Sequence, residues 1–112
     1  MTNTALTKRM PSPGEPLPDG YAYMLADSSL NAPAINRGDV LILNTTVNEW
    51  RWDGPYVVEV DGRQCVRWLQ RRGKDLFYVF YQVAKDCGYP ARADEIRVLA
   101  AVEHSYQLRR FA

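Results

Sequence analysis

Ser28 and Ser29 follow Asp27 and head a short stretch, Leu30-Asn31-Ala32-Pro33, that leads through Gly38-Asp39 into the apolar run Val40-Leu41-Ile42-Leu43. A serine hydroxyl is a weak nucleophile until a neighbouring base takes its proton. His104 is the sole histidine, with no serine or aspartate at a telling distance, so it reads as an ordinary strand residue. A lysine whose charge is suppressed by burial can act as the base, and Lys74 and Lys85 are candidates. An arginine cannot, because its guanidinium stays protonated up to a pH of about 12. Without an activating base, Ser28-Ser29 reads as a polar turn or a helix N-cap.

The segments that would position these groups read as strands. Tyr21–Leu25 is short and aromatic, and Asp39–Leu43 is continuously apolar, as a strand buried on both faces should be. Pro55–Val60 ends at Asp61-Gly62, a pair that tolerates the positive φ of a type I′ hairpin turn. Gln64–Gln70 is the returning strand. Arg72-Gly73-Lys74 is a second turn, and Asp75–Tyr81 is the next strand of a meander. Residues 96–108 are β-branched and aromatic and predict one or two terminal strands. Helix signals are thin: residues 31–36 suit one turn, and residues 83–89 suit a loop or one short turn. Pro11, Pro13, Pro16 and Pro18 predict an extended arm or linker over residues 1–19, with a folded domain over residues 20–112.

The stretch Asp27–Leu43 resembles the Gly-Asp/Asn-Ser-Met segment of the LexA, UmuD and phage-repressor family of self-cleaving serine peptidases. In that family a nucleophilic serine leads into a turn, and a Gly-Asp pair nine residues later opens a strand. Ser29 and Gly38 have that spacing, Leu30 stands at the methionine position, and Ser29–Pro33 is similar to the Ser-Met-Thr-Ala-Pro of lambdoid repressors. Choosing Ser28 would break the spacing. Tyr56–Arg71 resembles the family's hairpin, a strand, Asp-Gly, then Val-Lys and a Leu-Gln-Arg tail, in which the lysine is the general base. The resemblance spans about 85 residues and puts Arg67 at the lysine position.

That resemblance implies a mainly β fold of twisted antiparallel sheets with hairpins and little helix, like LexA and signal peptidase. It implies Ser29 at the nucleophile position and Arg67 at the base position, where a permanent cation removes the chemistry. The family cuts an Ala-Gly or Cys-Gly bond upstream of its serine, and residues 1–28 contain neither. Cys87-Gly88 lies far downstream and reads as a turn glycine after a cysteine. The function so implied is a catalytically inactive regulatory domain. It would act by dimerisation, through an unpaired β edge at residues 98–108, or by binding a regulatory protein partner. The alternative is an active self-cleaving peptidase in which Lys74 or Lys85 serves Ser29.

Composition limits other classes. With 14 Lys+Arg against 13 Asp+Glu the net charge is +1, which gives no whole-domain attraction to nucleic acid. The basic cluster Arg67, Arg71, Arg72 and Lys74 reads as a solvated hairpin tip. No helix-turn-helix pattern is present, so direct nucleic-acid binding is not expected. Arg67 alternates with Val66 and Trp68 and should share a face with Cys65 and Leu69. Cys65 and Cys87 read as two reduced thiols, with a disulfide or metal site as the lesser alternative. No cofactor and no metal are expected. No run approaches the roughly 18 apolar residues of a membrane span, and the N-terminus lacks a secretory signal's apolar run. The expected location is the cytoplasm, away from membranes.

Overall fold

The computed structural model describes residues 16–107. The arm expected over residues 1–19 falls outside the described residues up to position 15, as does the chain after position 107. Seven strands form one antiparallel sheet: β1 (Tyr21–Leu25), β2 (Val40–Asn44), β3 (Gly54–Val60), β4 (Arg63–Arg71), β5 (Leu76–Phe80), β6 (Tyr89–Arg92) and β7 (Arg97–Tyr106). The only helical pieces among the described residues are 3₁₀ segments at Gln82–Cys87 and Ala93–Glu95. The fold is mainly β with hairpins and little helix, as expected, although one sheet carries all the strands.

The β3–β4 hairpin follows from its turn chemistry. Val60 pairs with Arg63, so Asp61 and Gly62 alone make the turn. Their φ values of +51° and +78° are both positive, as a type I′ turn requires. A type I or II turn would splay the strands.

The strand order is β1-β2-β7-β3-β4-β5-β6. β7 therefore lies between β2 and β3 in the strand order, and the two ladders on it overlap only at Ala101. Its first half pairs with β3 and its second half with β2. Each ladder contains a one-residue shift. Ile42 and Leu43 face His104 and Val102, leaving Glu103 extra, and Val57 and Val58 face Ala100 and Val98, leaving Leu99 extra. An added residue bends a strand and reverses its alternation. Val98 and Ala100, which strict alternation would place on one face, accordingly serve different clusters.

One cluster joins Val98 to Tyr56, Val58, Leu69 and Val79. The other joins Ala100 and Val102 to Leu41, Leu43, Val57 and the β1–β2 loop residues Ala26 and Ile35, with Val66 and Trp68 against it. The sheet thus curls until the β1–β2 loop packs against β4. Burial of a side chain such as Leu41 or Leu69, each fully enclosed, stabilises the fold by roughly 1.5–3 kcal/mol. Glu103 joins the three strands at one end, accepting bonds from Tyr21 Oη (3.1 Å) and Asn44 Nδ2 (2.9 Å).

Candidate functional site

The loop between β1 and β2 is closed at its neck by two backbone bonds, Ala26 N–H to Asp39 O (2.9 Å) and Gly38 N–H to Ala26 O (2.8 Å). Asp39 is buried, and its carboxylate accepts the Asn36 N–H at 2.8 Å. Inside the loop, Ile35 N–H bonds Asn31 O at 3.0 Å, giving the single turn expected there, and the Ala32–Pro33 peptide is cis.

Asn31 fixes this loop to the sheet. Trp68 pairs with Phe80 where β4 and β5 separate, and the same register would next set Val66 opposite Gln82. Asn31 fills that gap: its Nδ2 donates to Val66 O (2.9 Å) and its Oδ1 accepts the Gln82 N–H (3.2 Å). Val83 N–H bonds Leu30 O at 3.0 Å beside it. A side-chain amide with a donor and an acceptor thus continues a ladder that the two strands no longer make.

A cleft of about 740 Å³ opens between this loop, the β3–β4 turn and the start of β4; Ser28, Asp27, Asp61, Cys65, Arg67 and Tyr81 are among its lining residues. The structure therefore brings Ser28 and Arg67 to one cleft. Ser29 is next to it and exposed, and its Oγ accepts the Arg37 N–H at 2.9 Å. Ser28 Oγ makes only a long contact with Leu30 N–H, 3.5 Å. Neither Lys74 nor Lys85 lines this cleft. Lys74 borders a groove of about 350 Å³ at Trp50, and Lys85 a smaller one at Tyr78. His104 lies in β7 opposite Ile42.

Arg67 lies opposite Tyr56 on β4. Its guanidinium sits 4.7 Å from the Tyr81 ring centre and 5.6 Å from that of Tyr89. Nη1 donates to Tyr89 Oη at 3.1 Å, while the buried Nε has no acceptor. Burial is the largest single influence on its proton affinity and lowers it. Interaction with Tyr81, with smaller charge effects from Tyr89 and Cys65, outweighs burial and holds the guanidinium above its already high ordinary value. The group therefore remains a cation and binds or orients; it does not accept a proton.

The four basic residues of the sequence cluster do not form one patch. Arg71 lies over Trp50 at 5.2 Å, with its Nε on Gly73 O (2.9 Å) and Nη2 on Lys74 O (3.2 Å). Arg72 lies over Tyr78 at 4.5 Å and bonds Gln70 Oε1 at 2.8 Å. Cys65 and Cys87 are both free thiols. Among the described residues no helix is long and apolar enough to cross a membrane, and no cluster of three or more His, Cys, Asp or Glu suits a metal ion.

Sequence reasoning named Arg67 but missed its ring partners and Asn31. Tyr81 follows from extending the β4–β5 register by one pair, a register the sequence does not fix. Tyr89 gave no signal at all. No family model matches the sequence, and no curated protein matches it significantly.

Proposed function

We propose that the chain is a non-catalytic regulatory domain of the LexA/UmuD/phage-repressor type, working through self-association or a protein partner. The observation that carries this reading is the shared cleft of the Ser28-Ser29 loop and Arg67, on the strand that returns from an Asp-Gly hairpin. A guanidinium there cannot receive a serine proton at neutral pH. The Ser29 hydroxyl is engaged by a backbone N–H, and neither Lys74 nor Lys85 borders the cleft.

The test is incubation of the intact chain at alkaline pH, with and without an activated RecA filament. The expected result is an unchanged chain. A fragment that disappears in Ser29→Ala would establish the active-peptidase alternative and overturn the proposal. Arg67→Lys is the companion: new cleavage in that variant alone would identify the arginine as the block. Sedimentation checks the second half of the reading, since a strict monomer at high concentration leaves only partner binding.

A further inference from the structure

We propose that the Arg67 cleft is a binding site for a carboxylate group. This rests on the cleft's charges and geometry and not on the peptidase resemblance. Arg63 and Arg67 are four residues apart on β4, so both side chains leave the same face, and both line the cleft. Neither forms an ion pair among the described residues. The Arg67 charge is held in place by two rings, with Nη1 donating to Tyr89 Oη. An ordered guanidinium has already lost the freedom that binding would cost it, and its fork geometry matches a planar carboxylate.

Ser28 and Gln64 add neutral polar groups to the same walls, and the volume lies within the roughly 300–1,000 Å³ of small-ligand sites. Asp27 and Asp61 line the cleft as well. Their charges offset the arginines, so the cleft favours a singly charged carboxylate over a multiply charged phosphate. The carboxylate belongs either to a small organic acid or to an Asp or Glu side chain of a peptide.

The experiment follows the Arg67 Nε–H resonance of the intact ¹⁵N-labelled protein during titration with propionate, with a capped Gly-Glu-Gly peptide, and with inorganic phosphate. Saturable movement with propionate or the peptide is expected, with phosphate weaker. Tighter binding of the peptide assigns the ligand to an acidic side chain, and tighter binding of propionate assigns it to a free acid. Arg67→Gln should weaken the preferred ligand by about tenfold or more, the scale of a charge-assisted hydrogen bond. An unmoved resonance with all three probes overturns the site, as does preferred binding of phosphate. Should Arg67→Gln not fold, the wild-type titration still decides. None of these outcomes bears on self-cleavage, so the two proposals fail separately.

Discussion

Tyr56 and Arg67 face each other across the β3–β4 ladder, and they use their polar ends in opposite ways. Tyr56 is fully buried. Its hydroxyl accepts the N–H groups of Arg51 and Trp52, each at 2.9 Å, and donates to Trp52 O at 2.6 Å, holding the β2–β3 connection against the first cluster. Every valence of that oxygen is used. Arg67, one strand further on, keeps its buried Nε without an acceptor and borders open space. Side chains that serve the fold tend to be saturated by it. One left with spare capacity beside a cleft is the better candidate for meeting something from outside.

This contrast has measurable consequences, the largest on the saturated side. Tyr56→Phe removes one oxygen and strands two N–H groups and a carbonyl, so urea unfolding should show a loss of about 1–3 kcal/mol or more. A neutral result would mean that water replaces the hydroxyl and that the contrast is false. Asn31→Ala should cost about 1–3 kcal/mol by orphaning Val66 O and the Gln82 N–H, and hydrogen exchange at Gln82 should quicken selectively. Arg67→Met should lie within about 1 kcal/mol of the parent, because no ion pair is lost and an unsatisfied buried donor is removed with the charge. A cost as large as that of Tyr56→Phe would recast Arg67 as a structural residue. The smallest expected effect is on pH dependence. A folded-state value raised above the unfolded one gives stability that is present below the unfolded value and lost only as pH rises through the folded one. Both lie far above neutral pH, so unfolding curves between about pH 6 and pH 9 should show no step that Arg67→Met abolishes.

The parts legible in the sequence are those governed by neighbours in the chain. The Asp61-Gly62 turn, the runs that became β2 to β5 and the shared face of Cys65, Arg67 and Leu69 depend on local turn chemistry and alternation. β6 was not legible. Tyr89-Pro90-Ala91-Arg92 has no strand pattern, and it is extended because it docks on β5 at the sheet's edge, where a proline is tolerated. Gly88, read as a turn glycine, has an ordinary negative φ. A side chain there would come within 2.7 Å of Phe80 Cβ and Tyr78 Cζ. Its identity is set by a neighbour ten residues away, whose hydroxyl accepts its N–H at 3.0 Å. The end segment was read correctly as β, but its neighbours were not legible, because a strand's own residues do not say which other strands will flank it. The cleft was half legible for the same reason. Arg67 stood out by type, while Tyr81, Tyr89 and Asn31 reach it only through long-range pairing.

The interior position of β7 also bears on how the molecule is made. It is the last of the described strands to leave the ribosome, yet the strand ladders of the β1–β2 hairpin and of the β3-to-β6 meander are joined through it. During synthesis the two pieces wait as separate, half-exposed units, open to wrong pairing with neighbouring chains. A chain broken off before residue 97 would carry most of the strands and lack the one that joins their ladders into a single sheet.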